Sequence, residues 1–425
     1  MKTKRNIIPI LLATLLAMTA CEDRIIEVFT ANSPIYMSYE ELRLSVRQSD
    51  VRELESPGKI YFKDDYIFIV EVMQGIHVID NSNPSEPVNL TFLEVPGNVD
   101  IAIKGSILYA DSYVDLVALD VSDLQNVTEV GRVEGVLPYT LPPYDEDYPL
   151  ARIEEKKGVV AGWEIKKVRQ QVESYYYPVY WKGEGWMNDA AGGVSSGGVG
   201  SGGVGVGGSM ARFGIRENTL YAVDNTTLHI FSISDAANPL FKKDFEAGWG
   251  IETLFILGDR MFLGTQTGMR IYDISVPSSP MYLADFWHVT GCDPVVVQDD
   301  LAYITIRGGT TCRNTAVNQL VVVSVAQITK PVELATYPME EPYGLGIDGS
   351  TLFLCDGEAG LKVYDVSDPL RISQNLITRF PDIRGYDVIP MDGVLMLIGA
   401  DGLYQYDYSN VNQIRLLSRI GVKKD

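Results

Sequence analysis

Histidine is nearly missing from this chain: His77, His229 and His288 are the three in 425 residues. Cysteine is almost as scarce at four. No His-Glu-x-x-His, Cys-x-x-Cys or Gly-x-Ser-x-Gly occurs, so a zinc or iron centre and a serine nucleophile elbow have no local support. Two histidines hold matching strand positions, Gly75-Ile-His77 and Thr227-Leu-His229, which a shared structural place explains better than ligation. Positive charge is also short. Against 56 Asp and Glu stand 35 Lys and Arg, a formal net charge of −21. Phosphate backbones demand clustered cations, so nucleic acid is a poor partner. The excess acid reads as a soluble, self-repelling surface, with a basic partner or a cation as its other use. Hydrophobic residues reach 46 %, enough for a sizeable core.

Long apolar runs are absent beyond the first residues. Lys2, Lys4 and Arg5 precede an apolar stretch from Ile7 to Leu16 that is too short to span a bilayer. Met18-Thr19-Ala20-Cys21 then resembles a bacterial lipobox, although Met18 stands where Leu is usual. The expectation is a signal peptide over 1–20 and lipidation at Cys21, with membrane contact through that lipid. Glu22-Asp23 resembles the acidic signals that direct lipoproteins to the outer face of the outer membrane. Residues 21–57 read as a lipid-anchored N-terminal linker.

What is present is a repeat. Gly75-Ile-His-Val-Ile-Asp80-Asn-Ser82-Asn-Pro84 returns as Gly268-Met-Arg-Ile-Tyr-Asp273-Ile-Ser275-Val-Pro277 and as Gly360-Leu-Lys-Val-Tyr-Asp365-Val-Ser367-Asp-Pro369. Gly402-Leu-Tyr-Gln-Tyr-Asp407-Tyr-Ser409 closes the series. The Asp position recurs at Asp80, Asp120, Ser232, Asp273, Ser324, Asp365 and Asp407, mostly 40 to 42 residues apart. Four short alternating strands per period of that length mark a propeller blade. Seven copies predict an all-β propeller of seven four-stranded blades. The Asp caps a tight turn and the Pro stops the ladder, so these acids are turn formers.

Val78-Ile79-Asp80, Leu116-Val-Ala-Leu-Asp120 and Leu361-Lys-Val-Tyr-Asp365-Val-Ser367 resemble LVIVD repeats. The chain is similar to the LVIVD-repeat β-propeller lipoproteins of the Bacteroidetes type over roughly residues 35 to 420. That resemblance implies a propeller over 58–425 on a cell envelope, and carries no functional residues with it.

One insertion, 135–209, breaks the rhythm between blades two and three. It opens with Pro- and acid-rich residues 137–149, includes a charged piece with strand character from Val159 to Gln171 and the aromatic run Tyr175–Trp181, and ends in a Gly-rich stretch over 192–208. That stretch reads as a flexible loop, since no strand-to-helix context makes its glycines a phosphate cradle. Asp145, Glu146 and Asp147 lack the spacing of a Ca²⁺ loop. No metal and no cofactor are expected. Cys292 and Cys312 map to the same face of blade five and are expected as a disulfide worth roughly 3 kcal/mol. Cys355 is expected as a buried free thiol.

Blade phase places Trp249, Asp293, Tyr343, Arg384 and Tyr386 around the rim where connections enter each blade, and these are the candidate binding residues. With no catalytic constellation in view, the chain reads as a non-catalytic binding or scaffolding lipoprotein whose partner is an envelope protein or glycan. The alternative is an extracellular glycan-acting lyase or hydrolase, for which the plentiful carboxylates leave room.

Overall fold

Every repeat has the same internal logic. Its second and third strands are apolar on both faces, as in Tyr66–Glu71 and Leu361–Asp365, while its outer strand is polar and exposed, as in Leu240–Glu246. Strands apolar on both faces must be covered twice. Packing the repeats face to face around an axis does this. The computed structural model describes residues 25–172, 204–207, 209, 211–288, 294–309 and 317–423. They form seven four-stranded antiparallel blades over residues 57–94, 101–133, 213–246, 251–287, 295–338, 345–380 and 385–421. The core lies between adjacent blades, where side chains such as Tyr109, Phe231, Phe262, Tyr303 and Phe353 are fully buried.

The repeated motif has a local cause at each end. Its Asp closes the third strand and accepts the main-chain N–H two residues on: Asp80 from Ser82 at 2.9 Å, Asp365 from Ser367 at 2.9 Å and Asp407 from Ser409 at 3.0 Å. The Ser hydrogen bonds hold Asp80, Asp120, Asp273 and Asp365 below the usual carboxylate range. The motif's Gly opens the third strand under the outer strand. A Cβ on Gly75 would lie 1.9 Å from the Leu93 carbonyl oxygen, and its counterparts at Gly268, Gly360 and Gly402 meet the same obstacle. All seven blades carry a register shift where the outer strand leaves this motif, a bulge that adds twist.

Both end blades are built from consecutive strands, and the ring closes side to side. Leu54 bridges Val422, Ser418 Oγ donates to the Pro84 carbonyl at 2.6 Å, and Gln405 Nε2 donates to Asn81 Oδ1 at 2.6 Å. Ile60, Ile67 and Ile69 of the first blade share one apolar cluster with Leu395, Leu397 and Leu403 of the seventh.

Two expectations are corrected here. The segment read as a linker is largely regular structure: a strand Ile25–Met37, a helix Tyr39–Leu44 and a short strand Arg47–Ser49 on the outer edge of the first blade. The helix starts in a capping box, with Ser38 N–H donating to Glu41 Oε2 at 2.8 Å and Glu41 N–H to Ser38 Oγ at 3.2 Å. Ile25–Met37 pairs along its whole length with Val159–Val172 of the insertion. Buried Asn32 fastens this ribbon, donating to the carbonyls of Asp145 at 2.8 Å and Tyr148 at 2.7 Å. The second correction concerns the described end of the Gly-rich stretch. Val206–Gly207 pairs with Tyr61 and Phe62 on the axial strand of the first blade, Gly205 N–H donates to Ile103, and Ser209 Oγ lies 3.5 Å from Leu345 N. This run lines the axis. Its glycines meet a steric demand, since a Cβ on Gly205 would stand 2.3 Å from the Tyr61 ring. Cys21, Cys292, Cys312 and Asp293 lie outside the described residues, and with them the lipidation and disulfide expectations. Cys355 is a buried free thiol, its pKa pushed up by burial.

Candidate functional site

Ionisable side chains gather at the axis and in an open cleft. The first is the axis, at the end where each blade's innermost strand begins. Lys59 Nζ donates to Asp100 Oδ2 at 2.7 Å, with both side chains under a tenth exposed. Asp100 also accepts the main-chain N–H of Ile101, Arg212 and Phe213, so one carboxylate joins the first three blades. Behind it, Asp111 Oδ1 accepts from Asn98 Nδ2, Val99 N and Asp100 N at 2.8 to 2.9 Å, yet burial pushes its carboxyl up to about 6. Asp387 is wholly buried, and desolvation holds its carboxyl well above the ordinary range. A buried charge needs pairing of this kind to be tolerated. Lys59 and Asp100 lock the first three blades together in a buried place, whereas Asp387 accepts from its neighbour Val388 N at 2.6 Å.

The second place is open. Between blades six and seven, on the face where connections enter the blades, a cleft of about 280 Å³ is lined by Glu341, Tyr343, Glu358, Arg384 and Tyr386 over Gly357, Gly385 and Ala400. Tyr343 and Tyr386 stand on the two connections that enter these blades, with ring centroids 6.0 Å apart and planes tilted 51°. Tyr343 is held from several sides. Its hydroxyl donates to Glu341 Oε1 at 3.0 Å, the Arg307 guanidinium stacks 4.0 Å from its ring centroid, and Thr305 Oγ1 donates to its carbonyl at 2.7 Å. Burial first, then Glu341, pushes the phenol up to about 12, so it stays a donor. At the mouth Arg384 meets both oxygens of Glu358, at 3.0 and 3.1 Å. Both are largely exposed, and an ion pair in water is weak and readily exchanged for ligand contacts.

Behind the wall, Asp356 accepts from Glu340 N at 3.0 Å and Glu341 N at 2.7 Å, fixing the approach to Tyr343. Gly357, at φ +49°, admits the Glu341 carboxylate, whose Oε2 would lie 2.5 Å from a Cβ there. Gly344 N–H donates to the Tyr386 carbonyl at 2.9 Å, stitching the two connections together.

Of the sequence candidates, Tyr343, Arg384 and Tyr386 therefore come together. Trp249 stands apart on the connection into blade four, 46 % exposed. Glu358 and Arg307 went unrecognised in the sequence. Glu358 follows from the phase rule, because the loop between second and third strands opens on this same face. Arg307 had no signal, as its role is to back a ring supplied by the next blade. His77 and His229 are structural: His77 Nε2 meets Glu71 Oε2 at 2.9 Å, and His229 bridges Asp244 at 2.7 Å and Asp224 at 3.3 Å. Burial would lower His229, but the two carboxylates outweigh it and raise its pKa. Among the described residues no three His, Cys, Asp or Glu side chains cluster in a way that could hold a metal ion.

Comparison with known families decides the nature of the repeat. A model described as the LVIVD repeat matches residues 58–91 and 97–135, the first two blades. The chain carries LVIVD repeats. No curated protein matches this LVIVD propeller. Among solved structures it is similar to a protein from Lactobacillus plantarum (TM-score 0.54, 11 % identity, covering 86 % of this chain and 96 % of that one). It is also similar to the periplasmic gluconolactonase of Pseudomonas aeruginosa (TM-score 0.52, 8 % identity, 86 % and 97 % covered). A third is the computationally designed Ika8 protein (TM-score 0.50, 9 % identity, 88 % and 93 % covered). Identities this low speak for a shared fold alone.

Proposed function

We propose that this LVIVD propeller is a non-catalytic binding or scaffolding protein of the cell envelope, tethered through lipid on Cys21 and displayed at the outer-membrane surface. Its ligand site is the cleft between blades six and seven. The observation that carries this reading is the contrast between the two ionisable clusters. The cleft offers two half-buried tyrosines and an exposed Arg384–Glu358 pair to solvent. At the axis Lys59 and Asp100 are spent on holding the first three blades.

The catalytic alternative, a lyase or hydrolase acting on extracellular glycan, would draw on Glu341 and Glu358 in the cleft, which are held by the Tyr343 hydroxyl and by Arg384, or on the axial Asp100 and Asp387. The axial pair is 4 % and 0 % exposed, and a polymer cannot reach it without opening the ring. The gluconolactonase among the structural neighbours acts on its own substrate, and the 8 % identity carries none of that activity over.

The test is crosslinking on intact cells carrying the tagged chain, with Cys21→Ala as the unanchored control. Repeated recovery of one envelope component by the wild type, lost in Tyr343→Ala/Tyr386→Ala, supports the reading. Recovery unchanged by the double variant moves the site elsewhere, and a purified chain that shortens envelope glycan restores the enzyme.

A further inference from the structure

We infer that the cleft between blades six and seven is a subsite for one neutral pyranose unit of an envelope glycan; this rests on the binding reading above and narrows it to a ligand class. Three features of the cleft converge on that chemistry.

The first is shape. At about 280 Å³ the cleft falls just under the usual small-ligand range of roughly 300–1,000 Å³. It holds one ring, and not a folded peptide segment. The second is the wall. A pyranose presents an apolar face of C–H groups and a rim of hydroxyls. Tyrosine matches this with an apolar ring face and a polar tip. The Tyr386 ring is half-buried at the side of the cleft, and the Tyr343 ring is fixed behind it by Arg307, Thr305 and Glu341. A wall held in this way loses little freedom on binding. Around it Glu341 and Glu358 offer acceptors and Arg384 a planar fork of donors, the complement of vicinal hydroxyls.

The third feature is charge, and it selects against the competitors. Glu341 and Glu358 are balanced by Arg384 and by Arg307 behind Tyr343. Asp356 is paired with Lys362, and at the outer edge Arg419 donates to the main chain of Asp401. In a chain of formal charge −21, the two carboxylates lining the cleft thus each face a guanidinium. A basic side chain would meet Arg307 behind the very ring it should stack on, and an anionic sugar taking Arg384 would leave Glu358 beside it without its cation. A neutral, hydroxyl-rich ligand meets neither penalty.

The experiment titrates the full chain in detergent with methyl glycosides of neutral hexoses and with the matching uronic acid glycoside and Nα-acetyl-lysine amide, read by saturation-transfer NMR and calorimetry. The expected result is weak binding of a neutral glycoside, on the order of millimolar, lost at least tenfold in Tyr386→Ala and held within threefold in Tyr386→Phe. Circular dichroism establishes that each variant is folded, and the wild-type panel alone decides should Tyr386→Ala fail to fold. Equal or tighter binding of the uronate or the lysine amide overturns the inference, as does no binding to any neutral glycoside. If the panel fails while Tyr343→Ala/Tyr386→Ala still abolishes capture on cells, the sugar is wrong and the binding site stands. Failure of both removes the site.

Discussion

The Lys59–Asp100 pair gives the sharpest test of how the ring is held. Lys59 sits on the axial strand of the first blade, and Asp100 precedes that of the second while accepting main-chain N–H groups at the start of the third. Lys59→Met keeps the stem and removes the charge, leaving a buried carboxylate without its cation. Breaking a buried pair from one side costs about 3–5 kcal/mol. For a chain of this length, an unfolding entropy of about 2 cal/mol/K per residue converts that to a fall in Tm of roughly 4–6 °C. Asp100→Asn is harsher at neutral pH, because its amide would face the donors Lys59, Arg212 N–H and Phe213 N–H. Its pH dependence has a definite sign. Burial already lowers the Lys59 pKa, with Asp100 as the main opposing influence. Without Asp100 the folded state binds the lysine proton more weakly still, while the unfolded state keeps it to about pH 10. The unfolded chain then holds more protons, so stability rises with pH. Thermal unfolding followed by circular dichroism from pH 6 to pH 10 should show Asp100→Asn recovering toward the wild type as pH increases. A Lys59→Met variant melting within 1 °C of the wild type would refute the reasoning.

Three further outcomes follow from the same packing. Asp111, pushed up to about 6 by burial, keeps its proton in the folded state to higher pH than in the unfolded chain. Stability should therefore fall between about pH 4 and pH 6, by at most about 3 kcal/mol, and Asp111→Asn should flatten that slope in pH-dependent melts. Gly205→Val drives a side chain into the Tyr61 ring and should destabilise by about 1–3 kcal/mol as an overpacked axis, measured by urea unfolding. Gly75→Ala sets a methyl against the Leu93 carbonyl, and faster exchange of the amides in Val88–Glu94 should report the loosened outer strand.

The ring was legible in the sequence because its signals are local. Each Asp caps an N–H two residues away, and every position counted as the Asp of a repeat, from Asp80 to Asp407, closes a third strand. The ribbon's pairing was not legible: strand character could be read in Val159–Gln171, but its partner Ile25–Met37 lies far off in the sequence. The described end of the Gly-rich stretch, 204–207, differs from its reading for the opposite reason: small residues serve a flexible loop and a tightly filled axis alike, and here Tyr61 tells them apart. Tyr343, Arg384 and Tyr386 could be placed on one face by blade phase. Their joint cleft depends on Arg307 and Glu358 from other loops, and that convergence is a property of the closed ring.

The most direct measurement of the central claim is hydrogen–deuterium exchange of the full chain, alone and with an outer-membrane extract. Binding at the cleft should slow exchange in 340–344, 357–360 and 384–386 and leave the outer strands unchanged. Protection confined to the ribbon of Ile25–Met37 and Val159–Val172, or no protection beside a shortened glycan product, would contradict it.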